Sequence, residues 1–176
     1  MRFVSQQDMT ALGDPRYRDR WGYFREAIHL AKSIPTELHP SDVLEIGPYK
    51  LPLVPGCHTM DNRDHRLQRT YAHDATHTPW PIRTGQYKLV VALQVFEHLA
   101  GRQHAAWQEV VRVARWAIVS VPYEWPDTVR RTDHVGITSE TLAEWFGRQP
   151  VDSVEVPSTT APAYSRLVCL YDLGGD

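Results

Sequence analysis

The stretch 41–61, SDVLEIGPYKLPLVPGCHTMD, constrains the fold of this chain more than any other. A short apolar run, Val43–Ile46, breaks at the turn Gly47-Pro48, and a second run, Cys57–Met60, ends in Asp61. Strand, tight turn, connection, strand and acid in this order belong to an open α/β sheet, where ligands bind outside the carboxyl ends of the strands. Glycine after the first strand admits close approach of a ligand to the backbone. A carboxylate after the second accepts from both hydroxyls of a ribose. Taken alone, the stretch fits a site for an adenosine-containing molecule. It fits equally an ordinary strand-turn-strand with a solvated Asp61.

The rest of the chain continues the alternation. Residues 1–15 are polar and end in Gly13-Asp14-Pro15, which reads as a loop or ragged arm. From Arg16 to Ile34, Tyr17, Trp21, Phe24, Ile28 and Ala31 recur at helical spacing, and Pro35 stops the helix. Tyr71-Ala72-His73 is a short third strand before Asp74. Tyr87–Leu93 (YKLVVAL) is a continuous apolar run, as expected of a central parallel strand covered on both faces. Phe96, Leu99, Trp107, Val110, Val111 and Ala114 mark one or two helices, and Ala117–Val121 is the next strand. Thr138 or Ser139 caps a helix that runs to Phe146. Val151–Val156 and Leu167–Tyr171 close the chain as a hairpin around a proline-rich 157–162.

One domain, 1–176, accommodates this length: an N-terminal arm and helix over 1–40, and a sheet core over 41–176. The net charge of −2 gives no broad electrostatic reason to bind nucleic acid or an anionic membrane. Lys occurs only at 32, 50 and 88, so Arg carries the basic character. Cys57 and Cys169 sit in apolar runs and read as small buried hydrophobes, which suits a reducing cytoplasm. Met1-Arg2-Phe3 leads into polar sequence, so no signal peptide is expected. No run approaches the ~20 apolar residues of a membrane span. Neither G-x-G-x-x-G, a G-x-x-x-x-G-K-[ST] loop nor a G-x-S-x-G elbow occurs.

Four blocks together resemble the class I S-adenosylmethionine-dependent methyltransferases. They are VLEIGP, TMD, HDATHTPWP-x(6)-KLVVALQVFEHL and QEVVRVARWAIVSVPYEWP, within residues 41–146. The resemblance implies a single doubly wound, Rossmann-like α/β domain. Its seven strands would lie in the order 3-2-1-4-5-7-6, the last antiparallel, with helices on both faces. It implies S-adenosyl-L-methionine as cofactor and roles for particular residues. Glu45 would orient the methionine amino group, and Gly47 would allow close approach of the methionine part. Asp61 would hold the ribose hydroxyls. Asp74 would accept from the adenine amino group, with Ala75 alongside. Leu93 and Gln94 would border the sulfonium. Carboxylates suit these positions because they accept from N–H and O–H donors and favour a nearby cation. The glycine-rich loop departs from the family pattern: only Gly47 of its glycines is present, followed by Pro48 and Tyr49.

Gln94-x-x-Glu97-His98 places three polar residues at helical spacing. With the distant His134, the pattern resembles the metal site of small-RNA 2′-O-methyltransferases. Here the first carboxylate is Gln94, and the loss of a negative ligand weakens a hard-cation site, so no metal is expected. His134 is the candidate general base or acceptor-orienting group, with Glu97 and His98 as further catalytic candidates. A structural histidine and a helix-start Glu-His remain the plainer readings. Arg130-Arg131, with Arg112 and Arg115, suits an anionic acceptor or a solvated surface. The function expected is methyl transfer to an oxygen or nitrogen of a small-molecule acceptor. The rivals are a non-catalytic adenosine-ligand binder or scaffold, and metal-assisted RNA ribose methylation. The acceptor and the oligomeric state are not legible.

Overall fold

The strand runs assemble one seven-stranded sheet in the order β3-β2-β1-β4-β5-β7-β6. The computed structural model describes residues 1–17, 19–65, 67–126, 136–159, 161 and 164–174. The strands are β1 Val43–Ile46, β2 His58–Asp61, β3 Tyr71–Ala72, β4 Tyr87–Leu93, β5 Ala114–Tyr123, β6 Asp152–Val156 and β7 Ser165–Asp172. Pairing is parallel from β3 through β5, and β7 runs antiparallel to both β5 and β6. The helices are α1 Gln6–Leu12, α2 Trp21–Ser33, α3 Gln103–Val113 and α4 Ser139–Phe146. The expected order and the final antiparallel strand are therefore those observed.

Side-chain alternation on the central strands builds two cores. Leu44, Ile46, Val90 and Ala92 face α3 and α4, whereas Val43, Leu89, Val91 and Leu93 face α1 and α2. Every residue of β4 except Lys88 is buried, the signature of a strand covered on both faces. Lys88 keeps its ammonium at the surface, 3.1 Å from the Asp42 carboxylate.

Local chemistry sets the helix ends. α2 buries Tyr23, Phe24, Ala27, Ile28, Leu30 and Ala31, and it ends where Ile34 turns extended before Pro35. The expected helix thus loses its first turn: Pro15–Tyr17 is a separate 3-10 turn that buries Tyr17. α4 starts under the Thr138 cap and ends at Gly147 in the left-handed region. On the α3 face, the Trp107 ring stacks on Phe146 at 4.2 Å and meets Tyr171 edge-on at 4.9 Å. Phe96 packs edge-on against Phe146, with ring centroids 4.9 Å apart, which anchors the turn below the strand ends.

Residues 1–15 are more ordered than their polarity implies. Ser5 and Asp8 form a reciprocal capping box at the start of α1. Val4 is buried and its N–H donates to the Leu53 carbonyl at 2.9 Å, which docks the arm on the connection after β1. Among the described residues, no helix is long and apolar enough to cross a membrane.

Candidate functional site

The parallel strands present their carboxyl ends on one side of the sheet, and a cavity of about 230 Å³ opens there. Gly47 after β1, Asp61 and Asn62 after β2, Asp74–Thr76 after β3, and Gln94, Val95 and His98 after β4 line it. Three successive strand ends each contribute a turn, so side chains far apart in sequence converge on one space. Another hollow, about 250 Å³ beside α1 and lined by Gln6, Met9, Tyr17 and Trp21, lies off these strand ends.

Gly47 leaves the sheet with φ 62°, a left-handed conformation that glycine adopts without strain. Its N–H donates to the Met60 carbonyl at 2.9 Å, which ties the turn to β2. A Cβ at this position would meet Val95 Cγ2 at 3.0 Å. Conformation and space therefore both favour glycine here, since a side chain would strain the backbone and press on Val95.

Asp61 and Asp74 face the cavity with different commitments. Asp61 Oδ1 accepts from the Arg63 N–H at 2.8 Å, a local turn bond that leaves much of the carboxylate available. Asp74 is more fully engaged. Its carboxylate accepts from Asn62 Nδ2 at 2.8 Å, the Thr76 N–H at 2.9 Å and Thr76 Oγ1 at 2.7 Å. The Asn62 bond and then the two Thr76 bonds hold its pKa down to about 2. The site therefore keeps a fixed negative charge beside Ala75, which is buried in the cavity wall.

Gln94 sits in the left-handed region at φ 59°. Its N–H donates to the Ser120 carbonyl at 2.9 Å and its Nε2 to Ser120 Oγ at 3.3 Å. These bonds from β5 hold an otherwise unfavourable backbone. The conformation also corrects the helical spacing expected for Gln94, Glu97 and His98. A 3-10 turn, Phe96–His98, follows Gln94 in place of an α-helix, so the three do not share one helix face. Gln94 and His98 line the cavity, whereas Glu97 turns inward and is 4% exposed.

Two other expected cofactor residues stand behind the cavity wall. Glu45 shares a strand face with Val43, so its side chain enters the core under α1 and α2. It is 1% exposed, and Oε2 accepts from the Leu53 N–H at 2.6 Å. Burial, which outweighs bonds from Leu53 and Val54, lifts its pKa to about 8. The carboxyl is thus an uncharged anchor for the connection after β1 and does not reach the cavity. Leu93 likewise packs into the α2 core. Sequence reasoning overlooked Asn62 and Thr76. Asp-x-Thr at 74–76 carries the signature of a side-chain-to-backbone turn and was the available signal. His134, with Arg130, Arg131 and Asp133, lies outside the described residues. Among the described residues, no group of three His, Cys, Asp or Glu side chains could hold a metal ion.

No family model matches the sequence, and no curated protein is significantly similar to it. Solved structures are similar over nearly the whole chain. One is a chain from the complex of the Haloferax volcanii Trm112 methyltransferase activator with a methyltransferase. It is 12% identical, covers 99% of this chain and 100% of that one, and has a TM-score of 0.64. The N-methyltransferase NodS of Bradyrhizobium japonicum WM9, in complex with S-adenosyl-L-homocysteine, is 17% identical over 96% of this chain and 93% of that one, with a TM-score of 0.62. The [4+2]-cyclase SpnF is 12% identical over 86% and 81%, with a TM-score of 0.57. The strand order, the antiparallel seventh strand and these likenesses agree: the chain has the fold of the class I S-adenosylmethionine-dependent methyltransferases.

Proposed function

We propose that the chain is an S-adenosylmethionine-dependent methyltransferase that acts on an oxygen or nitrogen of a small-molecule acceptor. The observation that carries this reading is the convergence of Gly47, Asp61 and Asp74, from three successive strand ends, on one cavity. Asp61 retains lone pairs for two ribose hydroxyls. Asp74 and Ala75 form the end suited to an adenine, whose amino group donates and whose ring prefers an apolar wall. Gly47 admits the amino-acid part, and Gln94 borders the reacting centre. Glu45 acts at one remove, through the loop that it anchors.

When bound, S-adenosylmethionine supplies an electrophilic methyl group on a sulfonium whose leaving group is a neutral thioether. The chain's own residues then have little covalent work: they align the acceptor and exclude water. Val95 and Leu99 give the cavity its apolar side, and Gln94, held by Ser120, offers an amide to the acceptor. A base is needed only if the acceptor must lose a proton. His98 on the cavity wall and His134 are the candidates for that step. The free thiols Cys57 and Cys169 suit a reducing compartment such as the cytoplasm.

A second reading is a non-catalytic binder of an adenosine ligand. Tyr49 favours it, since a bulky residue at φ 59° stands where the family carries glycine. The metal-assisted RNA reading is set aside, because Gln94 offers no carboxylate and the net charge is −2. Thermal unfolding with S-adenosylhomocysteine tests the binding step. Ligand at about 100 times its dissociation constant adds about 2.7 kcal/mol. Absence of a shift at millimolar ligand refutes both readings. A shift without S-adenosylhomocysteine release across a panel of amines, phenols and carboxylic acids selects the binder.

A further inference from the structure

A hollow of about 280 Å³ lies between α4 and the outer strands β7 and β6, and it shares no lining residue with the cavity at the strand ends. Alternation on β7 puts Leu167, Cys169 and Tyr171 on the face toward α4. The antiparallel register sets Glu155 of β6 beside Leu167 and Ser153 beside Cys169. Leu142 and Ala143 of α4 form one wall. β6 is the edge strand, so Ser153 and Glu155 stay exposed at the opposite wall. The volume falls near the lower end of the range of small-molecule sites.

The polar groups of this hollow stand at its two ends. At one end the Tyr171 side chain is fully buried, with its ring 4.9 Å from Trp107 and 5.4 Å from Phe146. Its hydroxyl has no hydrogen-bond partner among the described residues. Burial first, and then the Cys169 thiol beside it, push its pKa up, so the hydroxyl keeps its proton and remains a donor. A buried donor without an acceptor is costly, and a ligand that supplies one removes the cost. Arg148 lines the same end. Its Nη1 donates to the Asp172 carbonyl at 2.8 Å, which uses one of the donors of the guanidinium. Asp172 lies five residues beyond Leu167, about 16 Å along β7. At the other end, beside Leu167, Glu155 forms no ion pair or hydrogen bond among the described residues. Leu142, Leu167 and Cys169 make the space between apolar. The hollow is therefore positive and hydrogen-bond-donating at one end, apolar along its length and negative at the other.

We propose that this hollow is a second ligand site, for a zwitterion whose carboxylate meets Tyr171 and Arg148 and whose ammonium meets Glu155 across an apolar chain. Charge complementarity selects this class. A cation alone leaves the Tyr171 hydroxyl without an acceptor and faces Arg148. An anion alone leaves Glu155 unpaired. The site is independent of the methyltransferase reading, since it uses no residue of the strand-end cavity.

Calorimetric titration of the intact protein at low ionic strength tests the site with 8-aminooctanoate and 6-aminohexanoate, each compared with the alkanoate and the alkylamine of its own length. One of the zwitterions should bind about tenfold or more tighter than its alkylamine, which lacks the carboxylate. It should bind about threefold tighter than its alkanoate, which lacks only the exposed ion pair to Glu155. Tyr171→Phe removes the hydroxyl and keeps the ring contacts. It should weaken the zwitterion and the alkanoate about tenfold and leave the alkylamine unchanged. Glu155→Gln should weaken the zwitterion and the alkylamine about threefold and not weaken the alkanoate. Glu144→Gln, at an exposed position of α4 outside the hollow, is the control that moves none of them. The proposal is overturned if neither zwitterion binds wild type, if the alkylamine of the same length binds as tightly, or if either Tyr171→Phe or Glu155→Gln leaves the zwitterion's affinity unchanged. Should Tyr171→Phe fail to fold, Arg148→Gln carries the same comparison at that end.

Discussion

Substituting Glu45 by Gln isolates the energetic cost of a buried acid at the base of the site. In the folded chain Glu45 is 1% exposed and accepts from the Leu53 N–H at 2.6 Å. Burial raises its pKa from an ordinary 4.5 to about 8. The unfolded carboxyl ionises near its ordinary value, while the folded one keeps its proton to about pH 8. Because the folded pKa is raised, this group's contribution to stability is fully present below pH 4.5 and is lost as pH rises to about 8. At about 1.36 kcal/mol per pKa unit, the total loss is on the order of 5 kcal/mol. Glutamine keeps the carbonyl acceptor and the volume but does not titrate. Urea unfolding at intervals from pH 5 to 8 reads the difference between the proteins. Wild type should lose stability relative to Glu45→Gln by roughly 1 kcal/mol per pH unit across this window, with the variant the more stable near pH 8. Parallel pH profiles would show that Glu45 is ionised inside the fold and refute the argument.

The remaining predictions concern the cavity. Gly47→Ala forces an alanine into the left-handed region and a Cβ to 3.0 Å from Val95 Cγ2. We expect a stability loss of about 1 kcal/mol by urea unfolding and weaker S-adenosylhomocysteine binding by calorimetry; unchanged affinity would remove Gly47 from the site. Among the described residues, Asp61→Ala gives up a local bond to Arg63. It should unfold near the wild-type temperature and bind S-adenosylhomocysteine more weakly by about 1.5–3 kcal/mol; a folded variant of normal affinity moves the ribose role elsewhere. His134→Ala should lower turnover by on the order of 10²–10⁴-fold if the acceptor loses a proton to it. S-adenosylhomocysteine affinity should stay constant in that variant, and normal turnover in the folded protein eliminates the base.

How much was legible in advance varied with how local the cause was. Val43–Ile46 and Tyr87–Leu93 coincide with β1 and β4 because a strand covered on both faces is apolar at nearly every position, with Glu45 and Lys88 as the exceptions. The α4 boundaries were legible because the Thr138 cap and the left-handed Gly147 satisfy the helix ends locally. β5 is longer than its apolar run, Ala117–Val121. Its polar start is held by a partner strand: Arg115 bonds Asp172 at 2.9 Å and its carbonyl accepts from the Leu173 N–H. α1 depends likewise on Val4 docking against Leu53, a contact between distant residues.

The same division runs through the site. The turn after β1 and the acids Asp61 and Asp74 at strand ends were visible from glycine and carboxylate placement, because a strand end is a local feature. The aim of each side chain was not. Alternation put Glu45 on the face of Val43, but only the placement of α1 and α2 buried that face and directed the carboxyl to Leu53. Helical spacing grouped Gln94, Glu97 and His98, but Gln94 donates two bonds to Ser120 on β5 while held at φ 59°, and the 3-10 turn that follows buries Glu97. The sequence by itself determined which segments alternate between strand and helix, since burial pattern and capping act over a few residues. Which polar groups meet in one cavity was decided by the tertiary structure alone, because hydrogen bonds and packing between segments tens of residues apart set where each side chain points.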